Sequence, residues 1–158
     1  MQLNTDAASS TSSNYWNDTA PTSSVFTSGA NNVSNTFVAY CFAPVAGYSA
    51  FGSYTGNGSA DGPFVYTGMR PAFVLWKRAD AQDNWAIVDN FRSPFNVADD
   101  WLGPNSSSAE SSNNSAYAID MLSNGFKVRA SHAATNASSG TYIWAAFCEH
   151  SFKTARAR

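Results

Sequence analysis

The sequence predicts an all-β fold, a two-layer antiparallel sandwich of jelly-roll type, preceded by an extended polar N-terminal arm. Three observations carry this expectation. No window of a dozen residues keeps an amphipathic helical period. Short β-branched and aromatic runs are separated by Gly, Pro and Asn turn signals. Charged residues form only 13% of the chain, about half the ordinary share. Ser, Thr, Asn and Gly must then supply the polar surface, a palette that suits sheets and turns better than helices. At 158 residues, 44% of them hydrophobic, the chain fits one ordinary domain with a tail and needs no staples to fold.

The elements follow in order. Residues 1–36 form a low-complexity arm in which 20 of the 36 residues are Ser, Thr or Asn, too polar to order itself easily. Tyr15, Trp16, Val25 and Phe26 are its apolar exceptions and are expected to anchor it on something. The β domain is placed at 37–152, with a basic tail at 153–158. Thr36 to Phe42 reads as the first strand, and 47–58 as a turn-rich strand pair. Phe64 to Thr67 follows. Ala72 to Lys77 comes next, apolar on both faces as a central strand is. Trp85 to Asp89 returns antiparallel to it. Residues 90–116 are irregular. Ala118 to Leu122 and Phe126 to Arg129 flank Asn124-Gly125, the strongest hairpin signal in the chain. After a polar loop at 130–140, Thr141 to Cys148 is the last strand.

Asn31–Ala43 and Asn136–Cys148 align without gaps: an Asn, a Ser-containing loop, then Thr, an aromatic and a β-branched residue, with Phe five positions after the aromatic. This pattern suggests a repeat, with the complete unit at about 47–148 and the earlier strand closing a preceding unit.

Composition excludes several function classes. A net charge of −2 gives no long-range attraction to nucleic acid or anionic lipid. The longest apolar run, Phe37 to Tyr48, is broken by Pro44 and Gly47 and is too short for a bilayer. The N-terminal residues lack the pattern of a signal peptide. Cys41 and Cys148 lie in apolar runs and are expected to be buried free thiols, consistent with synthesis in a bacterial cytoplasm.

Catalytic and metal motifs are not found, and no catalytic residue, metal ligand or cofactor is expected. His132 and His150 belong to no metal-binding pattern. Gly56-Asn57-Gly58 precedes no helix, so it reads as a turn and not a phosphate cradle. Asp99-Asp100 and Asp80/Asp83 read as solvated loop acids, and calcium at Asp80/Asp83/Asn84 would depart from the EF-hand spacing. Six Asn-x-Ser/Thr sequons follow from Ser and Asn abundance. Among the tryptophans near turns (Trp16, Trp85 and Trp101), Trp101 is the candidate platform for stacking a sugar ring. Asp99 and Asp100 beside it would accept sugar hydroxyls. The alternative is that Trp101 packs against the core.

Three stretches are familiar together: TFVAYCFAPVAGYSAFGSYTGNGSADGPFVYTGMRPAFVLWKR, SNGFKVR and NASSGTYIWAAFCEHSFKTARAR. They resemble a domain of unknown biochemical role at the C-terminal end of tail-fibre and other virion proteins of bacteriophages, notably marine ones, over about residues 37–158. The resemblance implies a non-enzymatic virion part, a capsid decoration or tail component. Its expected partners are other copies of itself, for instance as a trimer, and neighbouring virion proteins. The other function it implies is a receptor-binding tip that holds host-surface glycan.

Overall fold

A computed structural model describes residues 2–32, 36 and 38–148, with residue 32 described by its backbone alone. The chain divides into two units, Met1–Ala8 with Ala43–Arg158, and Ser9–Phe42.

The larger unit is an all-β sandwich of eight strands: β1 Ser49–Thr55, β2 Phe64–Tyr66, β3 Pro71–Arg78, β4 Ala86–Asp89, β5 Trp101–Leu102, β6 Ile119–Leu122, β7 Gly125–Val128 and β8 Thr141–Cys148. One sheet has the order β1-β8-β3-β4-β5 and the other β2-β7-β6, with antiparallel pairing throughout. Successive strand side chains point to opposite faces, so residues two apart share a face. Val74 and Trp76 of β3, Val88 of β4, and Tyr142, Trp144 and Ala146 of β8 lie on one face of the five-stranded sheet. They meet Val65, Ile119, Met121, Phe126 and Val128 of the other sheet in one buried cluster. Tyr54 stacks on Tyr142 at 4.8 Å, and Phe126 meets Trp144 edge-on at 5.8 Å across the layers. Each fully buried side chain of this size contributes roughly 1.5–3 kcal/mol.

Strands β3, β4, β6, β7 and β8 lie within a residue or two of where the sequence predicts them, and β3 occupies the centre of its sheet. Four readings are corrected. First, residue 36 and residues 38–42 are not in a strand, while Phe37 lies outside the described residues. Their β-type composition reports fitness for a sheet and does not by itself make a strand. Second, the expected strand pair at 47–58 is the single strand β1, and its Gly-Asn-Gly end is a loop.

Third, the β6–β7 hairpin turns at Ser123-Asn124, one residue earlier than predicted, because Gly125 is already opposite Leu122. Gly125 is needed for closeness: a Cβ there would lie 2.2 Å from the Val65 carbonyl oxygen of β2. Fourth, the polar loop at 130–140 contains a buried helical turn, α2 Ala133–Asn136.

The Ser/Thr/Asn-rich region is shared between the units. Residues 2–8 belong with the sandwich. The smaller unit begins at Ser9 and holds a single helical turn, α1 Ser13–Trp16, capped by Ser12, whose hydroxyl accepts from the Asn14 N–H. Asn17 closes it in the left-handed conformation.

Candidate functional site

The most heavily hydrogen-bonded polar centre of the sandwich surrounds α2. Its four residues have too little helical length to persist alone, so tertiary bonds must hold them. His132 Nδ1 accepts from the Ala134 N–H, which starts the turn. Trp76 Nε1 donates to the Ala134 carbonyl at 3.3 Å, and Tyr54 Oη donates to the Thr135 carbonyl at 2.7 Å. Thr135 Oγ1 donates to the Ala116 carbonyl.

Asn136, fully buried, completes the centre. Its Nδ2 reaches Asn57 Oδ1 (2.9 Å), the Ser59 carbonyl (2.7 Å) and the Ala130 carbonyl (2.9 Å), and its Oδ1 accepts from the Asn57 N–H at 2.8 Å. Gly56 lets the two loops touch, because a Cβ there would lie 2.2 Å from the Ala137 carbonyl oxygen. The Gly-Asn-Gly turn is therefore one half of a structural clamp, which closes the loop end of the sandwich. Burial raises the Tyr54 pKa well above the usual phenol value, with the neighbouring Tyr142 adding to it, and burial raises Tyr142 as well.

A second buried polar group is Lys77, which lies within the apolar run of β3 and is fully buried. Its Nζ donates to the carbonyls of Asp6 (2.9 Å) and Asp83 (2.7 Å). Desolvation pushes its pKa below the ordinary lysine value, and attraction to Asp83 and Asp6 opposes that shift. Residues 2–8 thus act as an added layer of the sandwich: the Asp6 carbonyl also accepts from the Asp83 N–H, and the Gln2 carbonyl accepts from Trp85 Nε1. Beside them lies an open polar groove of about 470 Å³, whose lining includes Asn4, Thr5, Asp6, Asn84, Asn105 and Ser106.

Trp101 does not offer the open indole face expected of a sugar platform. It is half-buried, packs against the core, and stacks on Tyr117 with ring centroids 4.0 Å apart. Its six-membered ring also closes on Gly103, where a Cβ would come within 2.9 Å of Cζ3. Its Nε1 is buried with no acceptor among the described residues. Asp100 Oδ1 accepts from the Asn113 N–H, and the backbone N–H groups of Asp99 and Asp100 donate to Ser93 Oγ. These three residues are therefore neighbours that tie a loop together around a packed indole.

The arm residues pair with one another. Trp16 and Phe26 meet edge-on at 6.0 Å, and both remain partly open to solvent, as does Val25. The Tyr15 carbonyl accepts from the Gly29 N–H. Cys41 and Cys148 are free thiols, but the expected burial is not found: Cys41 is exposed and Cys148 half-buried, with its Sγ on the Gly47 carbonyl. Cys41 is exposed because its segment is not a strand.

Asp80 is held by Arg78, which keeps its pKa below the usual carboxylate value, and it also accepts from the Thr141 N–H. Asp83 Oδ1 accepts from the Asn84 N–H, and Asn84 Oδ1 accepts from Asn105 Nδ2, so the side-chain oxygens of Asp80, Asp83 and Asn84 each serve a protein donor. No group of three or more His, Cys, Asp or Glu residues suited to a metal ion occurs among the described residues. No helix among them is long and apolar enough to cross a membrane. His150 and the basic residues Lys153, Arg156 and Arg158 lie outside the described residues.

Composition and spacing missed α2, the Asn136 clamp and the burial of Lys77. The one signal for the clamp was the recurrence of Asn and Gly in both loops. Neither the curated proteins nor the solved structures compared with the chain contain a match. A family model matches residues 1–151, and by it the chain belongs to the DUF7483 family, a domain of unknown function.

Proposed function

We propose that this chain is a non-enzymatic bacteriophage virion protein, a capsid decoration or tail component, which works by contact with other copies of itself and with neighbouring virion proteins. The observation that carries this reading is the number of large apolar side chains held at the surface. In the smaller unit Val38, Tyr40 and Phe42 alternate along one segment at 64–75% exposure. On β2, the edge of the three-stranded sheet, Phe64 and Tyr66 alternate likewise. A period of two on the edge strand of a sheet is the pattern by which a partner's extended chain is added to it. Large aromatic side chains dominate such contacts once water is excluded from them. Low charge and the resemblance to phage tail-fibre and virion domains support the same reading, with the virion as its location and the host cytoplasm as the place of synthesis.

The test is quantitative mass spectrometry of purified particles together with sedimentation of the isolated chain. A fixed copy number matching a symmetric assembly is expected, with self-association at micromolar concentration. A chain absent from particles and monomeric throughout would overturn the proposal.

The polar groove beside residues 4–6 favours a second reading, a receptor-binding tip for host-surface glycan. Its amides and hydroxyls are the groups that orient sugar hydroxyls. Absence of binding to a glycan array and to intact host cells would remove this reading and leave the first untouched.

A further inference from the structure

The protein covers sheet edges with its own chain. Along β6, Ile119 and Ala98 exchange both backbone bonds, and the Asn96 side chain takes the N–H and the carbonyl of Met121. Along β5, Trp101 and Ser111 exchange both bonds. Short covers of this kind keep sheets from pairing with other chains. The outer edge of β2 has no such cover among the described residues.

The register shows which groups that edge presents. The Val128 N–H donates to the Pro63 carbonyl, and the Thr67 N–H donates to the Asn124 carbonyl. With Val65 opposite Phe126, residues 63, 65 and 67 therefore turn their backbone groups toward β7. Phe64 and Tyr66 turn theirs outward. Their side chains share the face opposite the buried Val65, at 46% and 68% exposure. Phe91 and Phe95 are more exposed still, but they stand on a loop, which offers no ladder to a partner strand.

This edge is self-complementary. Set a second copy of β2 antiparallel to the first, about a two-fold axis at Val65, and Phe64 of each copy lies opposite Tyr66 of the other. The outward N–H and carbonyl groups of both residues then all find partners. Each Phe64 ring lies beside a Tyr66 ring, a favourable cross-strand pair. Charge selects the same occupant. Asp61, its side chain 80% exposed, precedes β2 and holds Lys127 through Oδ1. Arg70 follows β2, exposed and without an ion pair among the described residues. Antiparallel pairing sets the acidic end of each copy against the basic end of the other. A strand of one charge sign would be repelled at one end.

We propose that two copies of the chain join through their β2 strands, about a two-fold axis at Val65, into one continuous sheet. This deepens the self-association in the reading above and rests on that part of it alone.

Two variants of the full chain, Phe64→Cys and Tyr66→Cys, test the register. In this pairing opposed residues have Cα atoms about 5.5 Å apart, within disulfide reach. Like residues lie about 8–9 Å apart, beyond it. Under mild oxidation the equimolar mixture should give an interchain 64–66 disulfide, read by peptide mass spectrometry. Its yield should exceed the like-residue disulfide of either variant alone at least fivefold. Tyr66→Pro removes an outward N–H that the β2–β7 ladder does not use. It should weaken dimerisation at least tenfold in sedimentation, with native near-ultraviolet circular dichroism. Absence of the 64–66 disulfide, or unchanged dimerisation of a folded Tyr66→Pro chain, overturns the proposal. If Tyr66→Pro does not fold, the disulfide decides alone. Wild-type self-association without the 64–66 disulfide overturns the β2 seam and leaves the self-contact reading standing. A chain monomeric at every concentration removes both.

Discussion

Replacing Asn136 tests the clamp between the two loops. In Asn136→Ala the Asn57 N–H and the Ser59 carbonyl lose partners near the surface, where water can replace them at about 0.5–1.5 kcal/mol each. The Ala130 carbonyl is buried and stays unsatisfied, at about 1–3 kcal/mol. The sum is about 2–6 kcal/mol, a fall in Tm on the order of 10 °C for a chain of this size. Asn136→Asp is the sharper variant. It keeps the acceptor for Asn57 but turns the amide that serves Asn57 Oδ1, the Ser59 carbonyl and the Ala130 carbonyl into a carboxylate oxygen facing three acceptors. A buried charge against lone pairs costs more than a small void. Asn136→Asp should therefore melt below Asn136→Ala at neutral pH and recover part of the difference in acid, where the added carboxyl protonates. Calorimetry with near-ultraviolet circular dichroism measures both. If Asn136→Asp melted at or above Asn136→Ala, the donor role of the amide would be refuted.

Other outcomes follow from the same structure. Lys77 has a folded pKa below the unfolded value of 10.5, so the unfolded chain holds more protons between the two values. The Lys77 contribution to stability therefore rises with pH across that window. The difference between wild-type and Lys77→Met denaturation curves should show the rise, and a flat difference would contradict the burial. Tyr54, Tyr117 and Tyr142 act oppositely, since burial raises each above the usual value. Their stabilisation is full below pH 10 and is lost as pH climbs through the raised values, which alkaline unfolding measures. Deleting residues 2–8 leaves the buried Lys77 ammonium one acceptor short and should lower stability by about 1–3 kcal/mol or more, seen as a lower denaturation midpoint. Trp101→Ala removes the partner of Tyr117 and should cost about 3–5 kcal/mol; an unchanged Tm would place the indole outside the core. Iodoacetamide should label Cys41 in the native protein well before Cys148, read by peptide mass spectrometry.

The sequence made the strands legible where composition and pairing agree. β3, β4 and β8 carry the β-branched and aromatic residues that a two-sided apolar sheet needs, and Gly or Pro bounds several strands. It was less informative where a partner decides the outcome. Residues 38–42 have the same side-chain vocabulary as β8, but only β8 lies between two strands. The turn α2 has no amphipathic period to detect, because Trp76, Tyr54 and Asn136 hold it from distant positions. Lys77 reads as the polar end of a strand until Asp6 closes over it. The candidate site was half legible: Trp101, Asp99 and Asp100 are neighbours as expected, yet the indole faces inward because Tyr117 offers a ring to stack on. Periodicity says nothing about which aromatic side chains stay outside, so Phe91 and Phe95 carried no signal.

The position of β8 between β1 and β3 governs when the molecule can fold during synthesis. β1 emerges from the ribosome early and finds its partner only after Cys148 has been translated, since Ser49 lies opposite Phe147. Until then β3 can pair with β4 on one side while its other edge and the whole of β1 wait unpaired. Pairing between such distant residues is slow to nucleate and exposes nascent edges to neighbouring chains. A chain released before residue 141 lacks the strand that joins β1 to the rest of its sheet, so a premature stop should yield aggregate instead of a smaller domain.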